Sequence, residues 1–360
     1  MENKGLLFIP DISGFTRFVT ETEIGHSRLI IQELLEILIN ANESGLEISE
    51  IEGDAILFYK FGDPPPLDAL YKQVEKMFCA FHQNLKAYEM HRYCQCKACI
   101  SVSALTLKVI THYGEFAGYN VKNFSKLIGK DVLVAHQLLK NDLPQHEYWI
   151  ITRNLSGDSQ PADFAKWMRW SSSVKHSEHG DIPFLYTQLG PLRDEIVPGN
   201  TVLFRMEDKV KVLSVEKEYD ADIVTMFHAT GDFQYRNRWQ EGVKEVEIVS
   251  HFLPRVGMKC RCVLGDKDVY IYSSSYKYQD DHIEFSETDE LKENTTWFTL
   301  QHIGPRRTRV TLDYYLKGNL AAKLNFRLFK KRKMERDFRQ SMENLVTLVK
   351  DLKIPTAIEC

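Results

Sequence analysis

The sequence predicts an α+β protein in two successive parts, and three observations carry that prediction. Apolar runs of strand length alternate with stretches of helical periodicity through the first half. Composition changes at GPLRDEIVPGN (190–200), where two prolines, two glycines and several charges read as a linker. Beyond it, a run of strands is followed by one long helical stretch. The expected domains are residues 1–195 and 200–355.

Taken in order, LLFIP (6–10) reads as a buried strand that ends in Asp11 and turns through Ser13 and Gly14. Ser27 can cap a helix whose apolar face is Ile30, Ile31, Leu34, Leu35 and Leu38. LEISEIEGDAILFYKF (46–61) reads as a hairpin with Glu52-Gly53-Asp54 at its tip. DPPP (63–66) breaks the pattern, and a helix is expected from Leu67 to Glu89. LTLKVITHYGEF (105–116) is a strand, DVLVAHQLLK (131–140) a helix, and EYWIIT (147–152) and IPFLYTQL (182–189) late strands. In the second part VKVLSVEKEYDA is a strand, ADIVTMFHATGDF a short helix, and six further strands precede a helix from about Leu320 to Leu352. An antiparallel sheet wrapped around one helix follows from that order.

The bulk properties exclude some functions. A formal net charge of −4 over 360 residues argues against bulk nucleic-acid binding. No apolar run is long enough to span a bilayer, and MENKGLLFIPD turns acidic too soon for a secretory signal. Seven unevenly spread cysteines do not form a disulfide framework, so a cytoplasmic protein with reduced thiols is expected.

An unpaired carboxylate is costly at a buried strand end, so Asp11 needs compensation. If its strand neighbours the hairpin, Asp11 and Asp54 converge at one sheet edge. Two carboxylates are hard ligands of the kind Mg²⁺ or Mn²⁺ accepts. The turn Ser13, Gly14, Phe15, Thr16 then offers backbone N–H groups to a phosphate. The simpler reading is that Asp11 caps the following helix and Asp54 is an ordinary Gly-Asp turn residue.

DISGFT together with EIEGDAILFY resembles the class III nucleotidyl cyclase catalytic domain, over roughly residues 5–190. LKVITHYGEF resembles that family's next core strand and GKDVLVAHQLL its later helix. The resemblance implies a ferredoxin-like catalytic fold, Asp11 and Asp54 as ligands for Mg or Mn, ATP or GTP as nucleotide, and a homodimer, because class III sites form between two such domains. Departures fall where chemistry is needed. Glu50 stands where the family has a base-recognising Lys, and Lys126 at its second purine-contacting position. Leu133 and Gln137 replace the helix Asn and the Arg that steadies transition-state charge, a loss on the order of 10³-fold or more. An unpaired Glu50 would also disfavour the base contact. A degenerate cyclase-like domain is expected.

HRYCQCKACI (91–100) places His91, Cys94, Cys96 and Cys99 within reach of a tetrahedral, structural Zn²⁺; the alternative is a group of reduced thiols. Cys79, His82 and His112 are expected near them. Cys260 and Cys262 alternate on a strand, face one side, and read as core or pocket-lining residues.

Residues 205–352 resemble the START-like helix-grip family in element order. That implies an apolar cavity between sheet and helix and a hydrophobic small molecule or lipid as ligand. Fourteen aromatics run from Phe227 to Tyr315; most must be core, and a minority line a cavity. The basic stretch KLNFRLFKKRKMERDFR (323–339) reads as a solvated face broken by Glu335 and Asp337, with an anionic membrane surface as the alternative. The expected function is therefore a non-catalytic two-domain binder, with an active nucleotidyl cyclase as the alternative.

Overall fold

The structure, a computed structural model, describes residues 4–22, 24–92, 96–122, 124–157, 161–177, 180–197, 208–250, 255–279, 281–318 and 320–352. The chain divides into two compact units, Met1–Glu89 with Ile100–Gly199, and Met90–Cys99 with Asn200–Cys360. Both are mixtures of sheet and helix, so the protein is α+β.

The strands of the first unit are β1 (Lys4–Ser13), β2 (Glu47–Glu52), β3 (Ala55–Phe61), β4 (Thr106–Glu115), β5 (Ala117–Val121), β6 (Phe124–Ile128), β7 (Tyr148–Thr152), β8 (Trp170–Lys175) and β9 (Ile182–Gln188). Seven of them form a sheet in the order β2-β3-β1-β4-β7-β9-β8, and β5 and β6 make a separate two-stranded ribbon. The β4–β7 pair is parallel, while β1 runs antiparallel to both β3 and β4. Helices along this stretch are α1 (Phe15–Glu21), α2 (Ile24–Asn40), α3 (Leu67–His91), α4 (Lys97–Ser101), α5 (Lys130–Leu139), α6 (Arg153–Ser156) and α7 (Gly190–Glu195).

Strand alternation sorts the core. Leu7, Ile9, Leu57, Ile110 and Ile150 bury one sheet face against Val132, Ala135 and Leu138 of α5. β1 is buried nearly end to end, as a central strand should be. Residues 190–195, expected as linker, are the helix α7: Pro191 sits in its first turn, where a missing N–H has no partner to lose.

The second unit is built on β10 (Lys209–Tyr219), β11 (Val243–Ser250), β12 (Lys259–Leu264), β13 (Lys267–Gln279), β14 (His282–Asp289), β15 (Asn294–Gly304) and β16 (Arg307–Lys317). They form one sheet in the order β10-β16-β15-β14-β13-β12-β11, antiparallel throughout. Two short helices, α8 (Ile223–Gly231) and α9 (Arg236–Trp239), follow β10. Asp222 caps α8 by accepting from the Thr225 N–H at 2.8 Å. The expected single C-terminal helix is instead α10 (Leu320–Asn325), a widened π turn (Phe326–Lys330) and α11 (Lys331–Asp351).

Met342, Leu345 and Leu348 of α11 are fully buried with Leu213, Val215, Phe285, Phe298 and Leu312 of the sheet and Met226 and Phe227 of α8. Burial of each such side chain contributes about 1.5–3 kcal/mol. Phe285 and Phe298 stack at 4.4 Å, and Phe227 meets Phe285 edge-on at 5.5 Å. Tyr219 ties β10 to α11 by donating to the Met342 carbonyl at 2.8 Å.

Candidate functional site

In the first unit, strand pairing brings the two acidic strand ends together. Asp11 pairs with Ala55 across β1 and β3, and the Ile12 N–H donates to the Asp54 carbonyl at 3.1 Å. Asp11 is 8% exposed; Asp54, at the tip after Gly53, is half-buried. Burial pushes both carboxyls up, and the Asp11 charge adds to the rise at Asp54, which reaches about 6.

A cation is already present. Lys108 lies directly opposite Asp11 in the β1–β4 register, and its Nζ sits 3.2 Å from Asp11 Oδ1. Both side chains are largely buried, so this ammonium is the compensation that Asp11 requires. The two carboxylates fit a hard divalent ion, but such an ion meets Lys108 on the same oxygen and must displace or join it.

The turn Ser13-Gly14-Phe15-Thr16 forms as expected. Gly14 holds φ +89°, which favours glycine, and α1 begins at Phe15. Thr16 is exposed, while Ser13 Oγ is buried and, among the described residues, without a hydrogen-bond partner.

Glu50 corrects an expectation. It is not unpaired: Lys126 of the β5–β6 ribbon donates to Glu50 Oε2, and His136 Nε2 of α5 stands 3.9 Å from Oε1. Glu52 joins Glu50 and His136 in a cluster whose ligand atoms lie within 4.8 Å of one another. Glu50 and Lys126 are thus bonded to each other. Leu133 is exposed and Gln137 half-buried on α5.

Among the cysteine residues, Cys96 is half-buried and Cys99 buried at the start of α4, with their sulfurs within 4.8 Å. Arg92 donates to the Cys99 carbonyl at 3.2 Å. Cys94 and the His91 side chain lie outside the described residues. His112 and His82 have other partners than thiols. His112 bonds Asp131 through Nε2 and Thr152 through Nδ1, each at 2.8 Å, and His82 Nε2 lies 3.1 Å from Glu147 Oε1. The hydrogen bond from His112 holds the Asp131 carboxyl below the usual range. Cys79 is half-buried, and burial pushes its thiol up to about 11.

The second unit contains a cavity of about 550 Å³ beneath α11. Leu264, Val269, Ile271, Phe298, Leu312 and Phe338 supply apolar walls. Trp239, Phe298 and Tyr314 are the residues of the aromatic set that reach it. At one end Arg236, 2% exposed, makes a two-pronged ion pair with the equally buried Glu287, and its guanidinium lies 5.0 Å from the Phe233 and Trp239 rings. Sequence reasoning missed this pair; nothing local in RNRW or SETDE singles out Arg236 or Glu287. Cys260 and Cys262 are core, with sulfurs 3.6 Å apart among Phe233, Val243 and Met258. The adjacent Cys262 and burial both push the Cys260 thiol up, so it stays protonated.

A family model described as a protein of unknown function (DUF2652) matches residues 31–148. The uncharacterized protein Rv2561/Rv2562 of Mycobacterium tuberculosis (strain ATCC 25618 / H37Rv) is 33% identical over 128 residues, covering 33% of this chain and 56% of that protein. The chain thus spans about half the length of the curated relative it matches. Among solved structures, the guanylyl cyclase Cya2 aligns at 13% identity and a TM-score of 0.39, over 51% of this chain and 90% of that one. A bacterial light-regulated adenylyl cyclase aligns at 16% identity and a TM-score of 0.37, over 51% of each chain.

Proposed function

We propose that this is a non-catalytic two-domain protein. Its second unit binds a hydrophobic small molecule or lipid in a START-like cavity. Its first unit is a degenerate nucleotidyl cyclase-like domain used for dimerisation or for sensing a nucleotide or metal. The observation that carries the reading is the 550 Å³ cavity with apolar walls beneath α11. A pocket of that size falls in the range of small-molecule sites.

The first half of the reading rests on the Glu50–Lys126 pair and on Leu133 and Gln137. The positions that the resemblance aligns with base contacts are tied together, and α5 carries no arginine to steady a transferring phosphoryl group. Native mass spectrometry of freshly purified protein tests the binding half: a retained mass of a few hundred daltons, lost on substituting Ile271→Trp, is the expected result.

A second reading, an active metal-dependent cyclase using ATP or GTP, is favoured by the convergence of Asp11 and Asp54 at one sheet edge. Incubation with Mn²⁺ and each nucleotide decides between them. Cyclic product that disappears in Asp11→Ala overturns the non-catalytic reading.

A further inference from the structure

The segment joining the sheet of the second unit to α11 is unlike the rest of that helix. Between Leu320 and Met334 lie six cations, Lys323, Arg327, Lys330, Lys331, Arg332 and Lys333, and no carboxylate. Among the described residues none of the six forms an ion pair. One turn later the pattern reverses: Arg339 pairs with Glu335 at 2.9 Å and Arg336 with Asp337 at 3.3 Å. Further along α11, Glu343 pairs with Lys217 of β10 and Asp351 with Arg238 of α9.

The same segment exposes large apolar side chains. Leu324 is 58% exposed, Leu328 66% and Phe329 79%. The π turn explains how. Phe326 is buried at 4% exposure and meets Tyr314 at 5.9 Å, so the chain is anchored at that point. The extra residue in the turn then carries Leu328 and Phe329 away from the core. Phe329, Lys330, Lys333 and Met334 also line the cavity, so this surface borders one side of it.

Apolar anchors flanked by unpaired cations fit a surface that is anionic on the outside and apolar a few ångströms below. A nucleic acid would use the cations and leave Leu324, Leu328 and Phe329 in water. A second copy of the same face would bring six cations against six, which repel. We propose that this face docks on anionic phospholipid bilayers and seats the cavity mouth at the headgroup layer. The inference concerns the surface and is independent of whether the cavity holds a ligand.

The full chain is tested by co-sedimentation with vesicles of phosphatidylcholine alone and of phosphatidylcholine mixed with phosphatidylglycerol. Binding to the mixed vesicles, weakened by salt, is expected. The paired substitution Leu328→Ser with Phe329→Ser, and the set Lys330→Gln, Lys331→Gln and Lys333→Gln, should each lower partitioning by about tenfold or more. Of the altered positions only Lys331 is half-buried and the rest are exposed, so their thermal unfolding should match the parent's. No binding to mixed vesicles by folded protein overturns the proposal, as does binding that survives either variant. Dimer dissociation in Leu328→Ser with Phe329→Ser, without vesicle binding by the parent, identifies a self-association face instead and also overturns it. Ligand retained in native mass spectra without vesicle binding leaves the cavity reading intact and removes only this one.

Discussion

Lys126 of β6 reaches Glu50 of β2 across 76 residues of sequence and joins the β5–β6 ribbon to the edge of the main sheet. His136 stands on the other oxygen of the same carboxylate at 3.9 Å. The pair is partly exposed on the lysine side, so its worth is modest, about 1 kcal/mol or less. Lys126→Met should therefore lower stability by about that amount in urea unfolding, and adding Glu50→Gln should recover most of it. A double-mutant cycle with no coupling would show that the ribbon is held by other contacts.

Asp54 should titrate near 6 in the folded protein, read by carboxyl carbon NMR shifts against pH. The sign for stability follows from the direction. Its ordinary value is 3.8, so between about 4 and 6 the native state binds more protons than the unfolded chain. Its contribution is fully present below 3.8 and is lost as pH rises through about 6. Asp11→Asn removes a neighbouring charge and should move the Asp54 midpoint down. A divalent ion at the same carboxylates should bind with rising affinity above pH 6, where Asp54 is ionised.

The parts of the fold that follow local pattern were legible. β1, α3 and β10 to β16 announce themselves through period-two or helical spacing because each buries one face or both. The β5–β6 ribbon was missed because Tyr119 and Val121 are exposed, so no buried face imposes alternation on it. The π turn was hidden by a helical pattern that continues on both sides, since one extra residue leaves the average period almost unchanged. At the site, the motif located Asp11 and Asp54, but Lys108 was invisible. Its place opposite Asp11 depends on the β1–β4 register, which single-strand patterns do not contain.

Gly114 gives the Asp131 carboxyl room. A Cβ there would lie 2.2 Å from Asp131 Cγ, so Gly114→Ala must push that side chain away from His112 and from the Glu115 N–H it accepts at 2.6 Å. His112 would then be left buried with one partner fewer. A loss of about 1–3 kcal/mol in urea unfolding is expected, with the Asp131 carboxyl returning toward its ordinary value in NMR titration.

The Arg236–Glu287 pair yields the sharpest stability test, because both groups are fully removed from water. Each charge is tolerable only because the other is beside it. Removing one, by Arg236→Met or Glu287→Leu, strands its partner and should cost about 3–5 kcal/mol. Removing both eliminates the stranded charge, so the double variant should be far more stable than either single one, and can equal the parent. Guanidinium unfolding of the four proteins measures the coupling directly. The cavity responds differently. Its wall at the pair's end becomes apolar in the double variant, so retention of a purely hydrocarbon ligand should persist, whereas a ligand held through a polar group at that end should be lost. Native mass spectra of the double variant therefore separate a structural ion pair from one that selects what the cavity holds.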